Sequence, residues 1–291
     1  MLDAARDSVK CELLRVTAGM ACEELREAAV RVVCGDAERP RWGSLARGTI
    51  LVLLSGTSSA ARAGACLELV HHGSLVVDDV VDHAVSRRGG PSLWCDISLE
   101  RAVLVSHALV TVGLEGLAHH PAVGGAVQKM IAGEVRGFRL PVRSREEYLD
   151  RAVAKTGALY SCVAAIAAAG PLHVLADVAA AAVALCDVGV AHQVADDIAD
   201  AEPTDANRIC FESQAYARLN EQQSVWATLP AHASTRDRLI AWHRRLADDA
   251  LARLAASLRE TPAKPFVLEL AHAVARGSLA VSAPRVGIVN S

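Results

Sequence analysis

Apolar side chains recur every three or four positions along most of the chain, the spacing of helices that bury one face. From Ala4 to about Val33 charged and apolar residues alternate at that spacing, which predicts one outer helix. Gly35–Arg41 is rich in breakers and reads as a turn, and a buried helix running through Ile50 and Leu54 follows Ser44. Cys66, Leu69, Val70, Gly73, Val76, Val77 and Val80 then mark one long helix that runs into Asp78, Asp79 and Asp82. After a loop from His83 to Pro91, Leu99–Leu117 predicts a strongly apolar helix. Pro121 starts the next, which carries Gly133, Glu134 and Gly137, and Arg145-Glu146-Glu147 opens the helix of Lys155. Pro171 separates that helix from one that ends in Asp196, Asp197 and Asp200. Residues 201–208 read as a polar loop, Trp226, Trp242 and Leu246 belong to later helices, and Asp237–Arg259 is charged and amphipathic. The tail, about 282–291, contains Pro284 and Gly287 and is expected to fray. No repeat, linker or composition break divides the chain, so residues 1–291 are expected to form one all-α domain.

Composition narrows the function classes. With 52% hydrophobic residues among 291, the chain can bury a large core. A formal net charge of −3 without a basic stripe argues against nucleic acid as a partner. The eight cysteines form no CxxC pair, so they suggest neither a zinc site nor a redox pair, and several lie in apolar runs and read as small buried hydrophobes. The N-terminus is charged, without the apolar core of a secretory signal, which suggests a reducing cytoplasm. Thr156–Ala176 carries no charged side chain for the length of a membrane span, yet Gly157, Gly170, Pro171 and His173 interrupt it. It is expected to be a buried helix, with no integral membrane segment in the chain.

The acidic triplets change the picture most. Asp78 and Asp82 are four apart, on one face about a turn apart, where like charges repel. They also close a helix, at the end whose dipole disfavours anions. One such triplet reads equally as a solvated acidic helix end. A second, Asp196, Asp197 and Asp200, repeats the arrangement and tips the reading towards a cation site. Oxygen ligands without Cys or His pairing suit Mg²⁺, which keeps waters and bridges to phosphate. Arg87 and Arg88 supply the fork geometry that phosphate oxygens favour.

These motifs, in this order, resemble the trans-polyprenyl diphosphate synthases and the class I terpene synthases that share their fold. His71-His72-Gly73-Ser74-Leu75 resembles the HxxSL lead into a first DDxxD, and Asp78–Asp82 followed by Arg87-Arg88-Gly89 resembles that motif and its RRG. Met130–Glu134 is similar to the G-Q or G-E helix, Lys155-Thr156-Gly157-Ala158-Leu159 to KTG-x-L, and Gln193 with Asp196, Asp197 and Asp200 to Q-x-x-DDxxD. The resemblance implies a bundle of the isoprenoid synthase type with a central cavity, usually homodimeric. It implies several Mg²⁺ ions bridged by the diphosphate of a prenyl substrate, bound by Asp78, Asp82, Asp196 and Asp200, with Asp79 and Asp197 as indirect or partial ligands. Arg87 and Lys155 would hold the allylic diphosphate, and Thr156 and Gln193 would flank the reacting end. Gly73 and Ser74 would border the substrate tail, and their small size suggests a fifteen- or twenty-carbon substrate.

The resemblance is weakest at the second diphosphate site, that of isopentenyl diphosphate, to which His71 and Arg88 belong. Its GGKRxRP motif aligns with Cys34–Pro40, where Arg39 and Pro40 survive but the Lys and first Arg positions are Asp36 and Ala37. The Gly-Lys expected after the second acidic motif is also missing, with Arg208 the nearest substitute. Losing two charge-assisted contacts, each worth about 1.5–3 kcal/mol, would abolish useful affinity. The sequence therefore favours a terpene cyclase that ionises one farnesyl or geranylgeranyl diphosphate without elongating it. The alternatives are a prenyltransferase that condenses isopentenyl diphosphate with an allylic diphosphate, and a non-catalytic partner subunit. Against the cyclase stands the scarcity of aromatics to line a carbocation cavity, the candidates being Trp42, Phe138, Tyr160, Phe211 and Trp226.

Overall fold

The computed structural model describes residues 1–35, 40–88, 90–137, 145–200 and 235–277, with backbone alone at Asp200 and residues 235–238. Arg39, Gly89, Arg208, Phe138, Phe211, Trp226, the proposed GGKRxRP remnant at 36–39 and the tail lie outside the described residues, as does the Asp200 side chain.

The described chain is helical almost throughout, as the periodicity predicts. The expected single outer helix is two: α1 (Leu2–Ala18) and α2 (Glu23–Cys34). Charge alternation continues across the break, so periodicity alone hides it. Gly19 ends α1, its N–H returning to the carbonyls of Thr17 and Val16. The turn after α2 closes where Arg41 N donates to Cys34 O at 2.7 Å. Helix α3 (Ala46–Ser55) is buried along its whole length, and its last turn ends on Gly56 in the left-handed region. A Cβ there would lie 2.4 Å from Leu172 O, so position 56 needs glycine for space as well as for φ.

The long acidic helix is α4 (Ala61–Val81), with Asp82 as its C-cap. A two-stranded hairpin follows, β1 (Ser86–Arg87) pairing antiparallel with β2 (Gly90–Pro91). Then come α5 (Leu93–Ile97), α6 (Leu99–Gly116) and α7 (Pro121–Gly137). Helix α8 (Arg145–Ala152) passes through a π-helical turn, Val153–Gly157, into α9 (Ala158–Ala168). The second acidic helix is α10 (Val178–Asp200), followed by α11 (Thr235–Ser257) and α12 (Lys264–Arg276).

Helix α4 packs on α1, α3 and α6, while α10 packs on α9, α11 and α12. Helices α3 and α9 lie against each other and link the two halves. Their shared core contains Leu51, Leu67, Leu159, Val163 and Leu185. A smaller core of Tyr148, Ala152, Val190, Val194, Ile198, Leu239 and Trp242 ties α8 and α11 to the acidic end of α10. Of the uncharged stretch at 156–176, the part in α9 is mostly buried, while the helix ends at Ala168 and Leu172 beyond it is exposed. By length and composition Val178–Ala199 would reach across a bilayer, but half of it is buried within the protein and it carries Asp187, Asp196 and Asp197. No disulfide joins the described cysteines.

Candidate functional site

Helical geometry divides the residues of α4 between two faces. One row holds His71, Ser74, Asp78 and Asp82, and the next holds His72, Leu75, Val76 and Asp79. The second row lines a cavity of about 940 Å³ between α2, α4 and the hairpin. There Asp79 is buried and its Oδ2 accepts a 2.6 Å bond from Arg87 Nε. Burial works against the Arg87 charge, but that bond and the fields of Asp79, Asp78 and Asp82 outweigh it and hold its pKa above the ordinary value.

The first row faces a different neighbourhood. Burial pushes the Asp82 carboxyl up, and Lys155 partly counters this while Glu134 adds to it. Lys155 Nζ itself lies 2.9 Å from Glu134 Oε1. The π-helical turn thus delivers Lys155 to the end of α4, and it delivers the adjacent Thr156 to α10. Thr156 Oγ1 donates to Gln193 Oε1 at 2.6 Å, and Gln193 Nε2 donates to Asp197 Oδ1 at 2.9 Å. The other oxygen of Asp197 accepts from the Tyr148 hydroxyl at 2.5 Å. His192 Nε2 lies 3.4 Å from Asp196 Oδ2. Thr156, Gln193 and Asp197 are therefore joined by hydrogen bonds at the acidic end of α10, and Lys155, next to Thr156, acts electrostatically on Asp82 at the end of α4.

Gly73, expected beside a substrate tail, has a packing role. A Cβ there would lie 2.7 Å from Val110 Cγ2 and 3.0 Å from Ser106 O, so its bareness lets α6 approach α4. Ser106 Oγ seals that contact by donating to Gly73 O at 2.9 Å. Ser74 Oγ donates to His71 O in its own helix.

Two residues outside the sequence motifs belong to the site. One is Tyr148. The other is Arg47, at the start of α3, 6% exposed, with its guanidinium 4.2 Å from the centre of the Tyr160 ring. Its neighbour Gly48 donates its backbone N–H to Glu68 Oε1 at 2.8 Å. Burial raises the Glu68 pKa, and Arg47 and Arg88 both pull it back. His71 is held well below its usual range by burial first and then by Arg47, His72 and Arg88. Arg88 has a positive φ of 52° at the hairpin turn, and its guanidinium packs against Gly43. Burial and the charge of Arg87 both work against its own. Arg47 and Arg88 thus form a second cationic locus beside the carboxylate row, with the neutral imidazole of His71 next to them. A signal for Arg47 was present in the sequence, since it is the one charged residue between Arg41 and Arg62.

The carboxylate row fits Mg²⁺ by donor chemistry, being all oxygen. Among the described residues no three acidic, His or Cys side chains close on a single point. Such a row offers an ion one or two ligands and leaves its other positions to water and phosphate, the usual Mg²⁺ habit.

A family model described as polyprenyl synthetase matches residues 37–209. Among curated proteins, a probable mitochondrial hexaprenyl pyrophosphate synthase of Neurospora crassa is 31% identical over 160 residues, 49% of this chain and 35% of that protein. A geranylgeranyl diphosphate synthase of Mycobacterium tuberculosis is 30% identical over 152 residues, 48% of this chain and 43% of that protein. The chain thus spans less than half the length of these relatives. In solved structures, heptaprenyl diphosphate synthase of Staphylococcus aureus superposes with a TM-score of 0.76 at 18% identity, covering 94% of this chain and 98% of that one. A polyprenyl synthase of Caulobacter crescentus, complexed with calcium and isoprenyl diphosphate, gives 0.72 at 19%, covering 94% and 95%. The fold is that of these proteins.

Proposed function

Since the chain belongs to the polyprenyl synthetase family, we propose that it is a Mg²⁺-dependent prenyltransferase joining an allylic prenyl diphosphate to isopentenyl diphosphate. The observation that carries this reading is the buried Arg47 guanidinium, packed on the Tyr160 ring, which with Arg88 acts on Glu68 and His71 beside the carboxylate row. Condensation needs two diphosphates held close together, each with its own cations. The alignment of GGKRxRP with residues 34–40 left the second diphosphate almost without cations and so favoured a cyclase. Arg47 supplies a buried guanidinium that the alignment overlooked, and the synthase alternative becomes the better reading. The names of the curated relatives point the same way.

In this reading Asp78, Asp82 and Asp196 would hold Mg²⁺, and Lys155 would sit beside the allylic diphosphate. Bound Mg²⁺ would neutralise the charge that develops on the leaving diphosphate. The allylic carbon–oxygen bond breaks, diphosphate leaves, and the cationic carbon faces the oxygens of Thr156 and Gln193. The terminal alkene carbon of isopentenyl diphosphate, held through its own diphosphate by Arg47, Arg88 and His71, forms the new carbon–carbon bond. Loss of a proton to the departed diphosphate then restores an allylic diphosphate. Exposed Leu104 on α6 and Ile131 and Val135 on α7 offer a face for a second copy of the chain; light scattering on the purified protein tests that dimer.

The functional test is incubation with geranyl, farnesyl or geranylgeranyl diphosphate, with and without isopentenyl diphosphate, in Mg²⁺ and in excess chelator. Elongated prenyl alcohols after phosphatase, dependent on both isopentenyl diphosphate and metal, are expected. Terpene hydrocarbons from the allylic diphosphate alone would restore the cyclase. A chain inert alone but active with a second subunit would favour the partner-subunit reading.

A further inference from the structure

We infer that Tyr148 is a positioning residue that fixes the direction of the hydrogen-bond chain Asp197–Gln193–Thr156, so that its last member, Thr156, presents oxygen lone pairs to the reacting carbon. This rests on the ionisation step of the function proposed above.

The argument begins with what each group can do. An ionised carboxylate only accepts hydrogen bonds, whereas a primary amide donates through nitrogen and accepts through oxygen. Asp197 Oδ1 therefore requires the NH₂ of Gln193, and Gln193 Oε1 is then turned towards Thr156. Facing an acceptor, the Thr156 hydroxyl must donate its one hydrogen there. What remains on Thr156 is a pair of acceptor lone pairs. Lone pairs attract an electron-poor carbon, while a hydroxyl hydrogen or an NH₂ aimed at it would repel. The direction of the chain therefore matters as much as its existence.

Tyr148 anchors the start of that chain. Its hydroxyl donates to Asp197 Oδ2 at 2.5 Å, which turns Oδ1 towards Gln193. Both residues are 4% exposed, so solvent has little access to replace the bond. The ring that carries the hydroxyl is itself fixed. It packs in the smaller core with Val190, Val194, Ile198 and Leu239, and tilts against Trp242 with ring centres 6.2 Å apart. The Arg145 guanidinium lies 5.2 Å from the centre of the Trp242 ring. Helix α8, which carries no residue of the sequence motifs, thus orients a chain that ends in the π-helical turn.

The test is Tyr148→Phe, which keeps the ring and its packing and removes only the hydroxyl. The rate of diphosphate release from the allylic substrate is expected to fall roughly 10–100-fold, the equivalent of one hydrogen bond to a charged group. The KM for isopentenyl diphosphate should stay at the wild-type value, because its cations lie on α3 and the hairpin. Thermal protection by Mg²⁺ with inorganic diphosphate should also persist, since Asp78, Asp82 and Lys155 are untouched. In a Thr156→Val background the same substitution should change the rate by no more than about twofold, because both act through one chain. Wild-type release by Tyr148→Phe, or full additivity with Thr156→Val, overturns the inference. Loss of thermal protection together with a raised KM would mark a general structural defect and overturn it as well. Diphosphate release is measured without regard to the acceptor, so a wild-type enzyme that releases it but makes no elongated product refutes the condensation and leaves this test intact.

Discussion

Lowering the pH should weaken the fold through His72, by an amount the structure supplies. His72 is 1% exposed, and its Nδ1 makes a 2.7 Å bond to Glu68 O within α4. Burial first, and the nearby Arg88 second, lower its pKa from 6.5 to about 4. Between those values the unfolded chain takes up a proton that the native state refuses. Its contribution to stability is therefore complete above pH 6.5 and is lost as pH falls towards 4. At about 1.4 kcal/mol per pH unit the whole window corresponds to about 3 kcal/mol, of which about 2 kcal/mol is gone by pH 5. The raw slope also contains His71 and His243, both lowered and so acting in the same sense. It contains Glu68 and Asp82 with the opposite sign, since burial raises their pKa and their contribution is lost as pH rises. Comparison with His72→Asn removes these shared terms, because an asparagine amide can still donate to Glu68 O and does not titrate. Urea unfolding at pH 7 and pH 5, followed by circular dichroism, should show wild type losing about 2 kcal/mol more than the variant. Parallel losses would refute the reasoning.

Arg47→Met should raise the KM for isopentenyl diphosphate roughly 10–100-fold while leaving the KM for the allylic diphosphate within about twofold; equal rises in both would detach Arg47 from the second site. Asp78→Ala, or excess EDTA on wild type, should remove most turnover and abolish thermal protection by diphosphate with Mg²⁺, and protection that survives would show the metal bound elsewhere. Gly73→Ala should cost about 1–3 kcal/mol in chemical denaturation, because its methyl would meet Val110 and the Ser106 carbonyl. A neutral effect on stability with altered product chain length would return Gly73 to the substrate wall.

The parts of the site carried on regular helices were readable from the chain. The seven-residue spacing of His71 and Asp78, and of His72 and Asp79, puts each pair on its own face, and the structure keeps those faces distinct. The KTG stretch was recognisable as a motif, but its π-helical turn was not, because one extra residue per turn leaves no mark in apolar spacing. Arg47 is not legible from the basic motif, because that motif aligns with the breaker-rich turn before it and not with the head of α3. Tyr148 escaped because its role comes from Asp197, 49 positions away. Gly73 shows the converse hazard, since small residues near a site serve helix approach as readily as substrate access.

The two faces of α4 also determine which changes in length the chain can survive. Each residue of an α-helix turns the next by about 100°. Inserting one residue between His71 and Asp78 would carry the carboxylate row round to the side of Arg87 and the cavity behind it, and deleting one would turn it the opposite way, to the exposed side of Val77. The helix can thus accept many substitutions and almost no change of register. The short turn Ser58–Ala60 that precedes it is under no such constraint. Among related chains, variation in length should therefore accumulate before Ala61 and after Asp82, while the eleven steps from His71 to Asp82 stay fixed.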